Sequence, residues 1–246
     1  MSIFSRIFLT VLLVSAVALS VVYYFKNPQK MQAQDAYTKL WGAYTGNTAA
    51  SFTSFEQEAG KGADINAVFV AWNDPFPQSV ADPLKATNQS LLIFWEQYGT
   101  TLDSIIAGDS DEYIKQFMSQ VQAYGGPVIM SPLHEMNGNW DPWDGPVGTN
   151  TPEKVVQAYQ HIHNIFYGVP NVKWAWVVNS VSVPNTSENA IAKYYPGDLY
   201  VDYAGVDGFN FGEPWQSYSE IFSGALQQLR TYKKPILISS IGCAAG

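Results

Sequence analysis

Positive charge, histidine and cysteine are all scarce in this chain of 246 residues. Lys and Arg number 13 against 21 Asp and Glu, giving a net charge of −8. Binding to nucleic-acid phosphates needs clustered Lys and Arg, so no nucleic-acid partner is expected. A single cysteine, Cys243, excludes an internal disulfide framework. With no Cys or His close to it in sequence, it reads as a small buried residue rather than a catalytic thiol. There are 3 histidines. His161 and His163 stand two apart on a helical stretch and face different ways, so no metal is expected. No Gly-rich loop follows a strand-like run, which argues against a nucleotide, and no cofactor of any kind is expected. Internal repeats and low-complexity segments are also missing.

Aromatic side chains, in contrast, are abundant: 8 Trp, 15 Tyr and 13 Phe, or 15% of the chain. That is more than packing normally requires and suits carbohydrate recognition, the alternative being a Trp-rich core. The length fits one sizeable domain and lies near that of a TIM barrel. Residues 1–25 read as a separate module, in which Arg6 precedes the uncharged run Ile7–Phe25. This run is long enough to span a bilayer and no A-x-A cleavage signal follows, so a signal anchor is expected rather than a cleaved signal peptide. Residues 26–38 then form a polar tether and 39–246 a barrel. The flanking charges set orientation only weakly, and the barrel is expected on the outer side, where polysaccharides are found.

From Leu40 onward, strand-like and helix-like stretches alternate, the pattern of a parallel sheet with crossover helices. Strands are expected at Leu40–Tyr44, Asn66–Trp72, Ser90–Trp95, Pro127–Met130, Val172–Val178, within Asp202–Phe211, and at Pro235–Ile241. Helices are expected at Ser51–Ala59, Asp111–Tyr124, Val155–Tyr167 with Thr151 as N-cap, and Tyr218–Tyr232. Several strand runs are apolar throughout, as strands covered on both faces should be. No eighth strand follows Gly246, so the barrel is expected to lack its last βα unit, as a fragment would.

The most informative stretch is Ser131–Trp143, S-P-L-H-E-M-N-G-N-W-D-P-W. It places an imidazole, a carboxyl, a carboxamide and two indoles at the end of one strand. A carboxyl can protonate a glycosidic oxygen, amide and imidazole can hold hydroxyls, and indoles stack on the C–H face of a sugar. On composition alone, a loop anchored by buried Trp with a solvated Glu remains open.

Residue order narrows the choice. H-E-M-N-G-N-W resembles the acid/base motif of glycoside hydrolase family 26, the β-mannanases and related β-glycanases. The resemblance extends to Trp174–Asn179, to Tyr195-Pro196-Gly197-Asp198, and to Gly205-Val206-Asp207-Gly208-Phe209-Asn210, covering roughly Leu40 to Gly242. It implies a TIM (β/α)8 barrel with Glu135 as general acid/base at the end of the fourth strand. It also implies a nucleophilic Glu on the seventh strand, where this chain reads Pro235-Ile236-Leu237-Ile238-Ser239-Ser240-Ile241-Gly242 and Ser240 stands in the Glu's place. Strand-end residues build TIM-barrel sites, which makes His134, Asn137, Trp140, Trp143, Trp72, Trp95, Asn179, Asn210 and Trp215 candidate substrate-binding residues. Glu213, Asp207 and Glu96 are the candidates for a second carboxylate. The expected function is hydrolysis of a β-1,4-linked polysaccharide such as β-mannan by a monomer anchored through residues 7–25. The alternative is an inactive carbohydrate-binding relative, because a lone Ser cannot replace the nucleophile at a useful rate.

Overall fold

A computed structural model describes residues 39–244. The expected anchor at residues 7–25 and the tether at 26–38 lie outside the described residues. Among the described residues, no helix is long and apolar enough to cross a membrane.

Seven parallel strands run in sequence order across one curled sheet: β1 (Gly42–Ala43), β2 (Ile65–Ala71), β3 (Ser90–Glu96), β4 (Val128–Pro132), β5 (Val172–Asn179), β6 (Tyr203–Asn210) and β7 (Ile236–Cys243). Between them lie α1 (Ala49–Ala59), α2 (Gln78–Ala86), α3 (Leu102–Ala107), α4 (Asp111–Tyr124), α5 (Pro152–Ile165) and α6 (Tyr218–Leu229). The expected barrel is therefore an open one, with no pairing between β1 and β7 among the described residues. β1 is shorter than expected. It approaches β2 so closely that a Cβ on Gly42 would sit 2.3 Å from the Ile65 carbonyl oxygen.

Local chemistry explains the helix ends. The Thr48, Thr101 and Thr151 side chains accept from the backbone at their helix N-termini, and Ser217 forms a reciprocal capping box with Glu220. Gly60, Gly108 and Gly125 stop α1, α3 and α4 in the left-handed region. The pattern reading missed α2 and α3. α2 carries Pro83 in its interior, which reads as a breaker, and α3 is too short to show a periodicity.

Strand alternation gives the sheet two apolar faces. Val68, Ile93, Met130, Trp174 and Val206 pack outward beneath the helices. Ile65, Ala67, Leu92, Phe94, Ile129, Ala175 and Val177 fill the inside of the curl, joined by Phe69, Tyr203 and Leu237. At the C-terminal ends of the strands this inner layer gives way to polar side chains. One irregularity occurs there: Val206 pairs with Ile238 but Asp207 pairs with Ser240, so Ser239 is an extra residue in β7. A bulge of this kind re-aims side chains beside a site.

One expectation about burial changes. Cys243 is exposed on β7 and not a core residue, because it lies at the last register position of the sheet's final strand. His161 is part-buried and pairs with Asp111 at 2.6 Å, tying α5 to α4.

Candidate active site

The turn after β4 places Glu135 through an unusual backbone. Leu133 and Glu135 both take left-handed conformations, with φ of 55° each. Non-glycine residues held this way cost of order 1–3 kcal/mol and persist only where the surroundings enforce them. Leu133, Met136 and Asn137 are fully buried. The Glu135 N–H donates to the Val177 carbonyl at 3.0 Å, and the Gly145 N–H donates to the Met136 carbonyl at 2.9 Å.

The Glu135 carboxyl receives two donors. Asn179 Nδ2 donates to Oε1 at 3.1 Å, and Trp140 Nε1 donates to Oε2 at 3.0 Å. Trp140 folds back over Gly138, where a Cβ would lie 2.5 Å from the indole ring, so the glycine of the motif makes room for this contact. Asp207 on β6 lies close enough to Glu135 for each group to act on the other's ionisation. Burial raises the pKa of both groups, and mutual repulsion adds to the rise at Asp207. Two carboxyls this close cannot both ionise cheaply, so the pair retains a proton well above the usual carboxylate range.

Asp207 is almost fully buried, at 2% exposure. Its Oδ1 accepts from the Ser239 hydroxyl at 2.6 Å, and Ser240 is its register partner on β7. Of the three candidate second carboxylates, it is the one whose ionisation is linked to that of Glu135. Glu96 is part-buried, its pKa raised by burial and then by Asp141. Glu213 is exposed on the loop after β6.

The other sequence candidates divide between cleft and core. Trp140 and Trp215 are 47% and 60% exposed and offer ring faces. Trp72 and Trp95 are corrections to the expected cleft. They share the parity of Val68, Val70, Leu91 and Ile93, so they point beneath the helices, their ring centroids 4.8 Å apart. Trp143 is buried, its indole N–H donating to the His134 carbonyl at 2.8 Å. His134 packs against Phe69, Phe94 and Trp143, and burial pushes its pKa down to about 4, so the ring is neutral. Asn137 is internally engaged. Its Nδ2 donates to Asn179 O and Ser182 Oγ, and its Oδ1 accepts from Asn179 N. Asn210 closes the loop after β6 through Gln216 O, Gly212 N and Gln216 N. Both amides are therefore spent on the protein, not left free for a sugar.

The sequence reading missed Asp144, Asp141 and Tyr98. Asp144 Oδ2 accepts from the backbone N–H groups of Trp140 and Asp141, each at 3.0 Å, and so fixes the loop that carries Trp140. Burial raises its pKa to about 7. Tyr98 donates to Asp141 at 2.5 Å. The available signal was the spacing W-D-P-W-D, an Asp positioned to cap the turn behind it. Among the described residues, no group of His, Cys, Asp and Glu is placed to hold a metal ion.

A parallel α/β sheet with a donor-held carboxyl just after its fourth strand has its candidate site where α/β barrels place theirs, at the C-terminal ends of the strands. The family model of glycosyl hydrolase family 26 matches residues 49–246, and the chain belongs to that family. It is 34% identical to endoglucanase H of Acetivibrio thermocellus over 95% of this chain and 27% of that protein. It is 28% identical to a mannan endo-1,4-beta-mannosidase of Bacillus subtilis, over 63% of this chain and 43% of that protein. The chain thus spans less than half the length of these two relatives. Among solved structures, the family 26 domain of an endo-beta-mannanase/endo-beta-glucanase from Prevotella bryantii superposes with a TM-score of 0.65. It covers 84% of this chain and 77% of that one at 16% identity, a likeness of fold.

Proposed function

We propose that this chain hydrolyses a β-1,4-linked polysaccharide such as β-mannan, with Glu135 as the general acid. The observation that carries the reading is the environment of Glu135. The carboxyl is largely buried, its pKa is raised, and Asn179 and Trp140 fix its direction. A general acid must keep its proton near neutral pH and point it at the leaving oxygen, and this environment serves both needs. Trp140 and Trp215 supply exposed ring faces for sugar C–H groups. Asp207 provides the second carboxylate that a glycosidase needs. The relatives named endoglucanase H and mannan endo-1,4-beta-mannosidase support glucan or mannan as the substrate class. The proposed place of action is the outer side of a membrane, a reading that rests on the sequence of residues 7–25.

One observation favours a second reading. Ser240 occupies the position where the family resemblance asks for a nucleophilic Glu, which suits a relative that binds oligosaccharide without turnover. Reducing-end release from β-mannan, β-glucan and xylan by the full chain separates the two. Release that falls at least about 10²-fold in Glu135→Ala supports hydrolysis. A folded protein that binds mannooligosaccharide, releases nothing, and loses affinity in Trp140→Ala is the binding relative.

A further inference from the structure

The loop after β4 carries a second buried carboxyl, at Asp144, whose role deepens the hydrolytic reading and rests on it. Asp144 is fully buried. Its Oδ2 takes the backbone N–H groups of both Trp140 and Asp141, each at 3.0 Å, while its Oδ1 has no hydrogen-bond partner among the described residues. The ends of the loop are tied down separately. The Gly145 N–H donates to the Met136 carbonyl at 2.9 Å, and Asn150 Nδ2 donates to the carbonyls of Pro142 and Asp144 at 2.8 and 3.0 Å. The backbone of the middle of the loop, at Trp140 and Asp141, is held by the Asp144 carboxyl.

A carboxyl is an expensive group to place there. The titratable groups facing it are Glu135 and Asp141 of its own loop, Tyr98 after β3, and Tyr194 in the turn Ile191–Tyr194. Glu96 acts on Asp141 in turn. All of these are acids or phenols, and among the described residues none of them forms a salt bridge with Lys or Arg. A buried charge without a countercharge is strongly disfavoured, and burial accordingly raises the pKa of Asp144 to about 7. An asparagine could accept the same two N–H groups without that desolvation, so holding the turn does not by itself explain a carboxyl. What a carboxyl adds is a proton that comes and goes. Hydrogen bonds to an ionised acceptor are shorter and roughly twice as strong as those to a neutral one.

We propose that Asp144 is a positioning residue for the acid, acting through Trp140, and that protonation of Asp144 loosens this hold. The chain of contacts is short. Asp144 fixes the Trp140 backbone, the Trp140 indole N–H donates to Glu135 Oε2 at 3.0 Å, and that donor favours the ionised form of Glu135. With Asp144 ionised, the indole stays on the carboxyl and Glu135 gives up its proton more readily. With Asp144 protonated, the loop slackens and the indole leaves Glu135 for part of the time, so the acid is weaker and less well aimed. Direct repulsion between the two carboxylates works the other way, but among the influences on Asp144 it is the smallest. Such coupling is reciprocal, so an indole seated on Glu135 in turn favours the ionised form of Asp144.

The test is an NMR titration of the full chain labelled with nitrogen-15. It follows the backbone N–H signals of Trp140 and Asp141 and the Trp140 indole N–H, the last assigned by its loss in Trp140→Phe. All three are expected to shift with one common midpoint, close to the Asp144 value of about 7, and the step is expected to vanish in Asp144→Asn, which keeps the side-chain shape and removes the charge. An indole signal that keeps the step in Asp144→Asn, or shifts with a midpoint different from that of the two backbone signals, overturns the inference. Should Asp144→Asn fold poorly, the comparison of midpoints in the parent still decides. A second arm uses a β-1,4-mannooligosaccharide as the probe. Asp144→Asn is expected to lower kcat by about tenfold and to flatten the change of kcat around that midpoint, while its melting temperature holds or rises. A variant that melts lower yet keeps the parent's kcat and pH profile would make Asp144 a structural cap and overturn the inference. Parent protein that shows the common step but releases no sugar would remove the hydrolytic reading and leave the positioning of Glu135 standing.

Discussion

Replacing Trp140 by Phe tests the electrostatics of the candidate acid. Phe keeps an aromatic ring beside Gly138 but removes the indole N–H, which donates to Glu135 Oε2 at 3.0 Å. That donor stabilises the ionised form of Glu135, lowering its pKa against the larger upward push of burial. A hydrogen bond to a charged group contributes about 1.5–3 kcal/mol. Trp140 is 47% exposed, so solvent screening favours the bottom of that range or less. The loss therefore raises the pKa of Glu135 further, in the direction burial already pushes it. Because Asp207 shares the site, the shift is expected in a macroscopic step of the pair. The assay is a carbon-13 titration of the labelled Glu carboxyls in the parent and in Trp140→Phe. A folded-state pKa raised further means that stability is lost as pH climbs through the folded value, so the variant is less stable than the parent only on the alkaline side. An unchanged or lowered pKa would refute the claim that the Trp140 N–H acts on the carboxylate.

Other predictions follow from the same geometry. His134 has a folded pKa of about 4 against about 6.5 unfolded, so the unfolded chain binds the extra proton first. Stability should fall by about 3 kcal/mol as pH drops from about 6.5 to 4, and a His134→Gln variant should lose that part of the slope in denaturant titrations. Trp143→Ala should cost about 3–5 kcal/mol of stability by opening a cavity, while the exposed Trp215→Ala should leave the melting curve nearly unchanged and weaken mannooligosaccharide binding in calorimetry. Gly145→Ala would place a Cβ 2.0 Å from the Tyr194 hydroxyl and should destabilise by about 1–3 kcal/mol, measurable by thermal unfolding.

Much of the fold was legible because strand and helix patterns are dictated locally. The apolar run of β3 and the amphipathic α4 could hardly have been anything else, and both match expectation. Site membership was harder to read, for a specific physical reason. Being near a strand end does not say which face of the sheet a side chain takes. Trp95 and Glu96 are neighbours in sequence, yet the first packs under the helices and the second lies beyond Phe94 on the inner face. Counting alternation back from the apolar body of each strand would have sent Trp72 and Trp95 to the core. The bulge at Ser239 could not be found that way, since nothing in P-I-L-I-S-S-I-G announces an extra residue. Nor did the sequence reveal that the Asn137 amide has protein partners for both its Nδ2 and its Oδ1.

Within H-E-M-N-G-N-W the residues therefore divide by role. Met136 and Asn137 are buried and clamp the loop, and Asn137 reaches across to the backbone of Asn179. Asn179 in turn donates to Glu135, so Asn137 acts on the acid at one remove. Gly138 leaves the space that lets Trp140 fold back, and Asp144, outside the motif, holds the Trp140 backbone in place. Glu135, Asn139 and Trp140 keep surface for a substrate. Most of the motif thus serves to hold one carboxyl in a left-handed turn that a free chain would abandon. A substitution at Asn137 should accordingly disturb the direction of Glu135 before it disturbs any contact with sugar. In Asn137→Ala, kcat would then fall more than KM rises, the signature of a positioning residue rather than a binding one. A rise in KM at unchanged kcat would instead return Asn137 to the role of a sugar ligand.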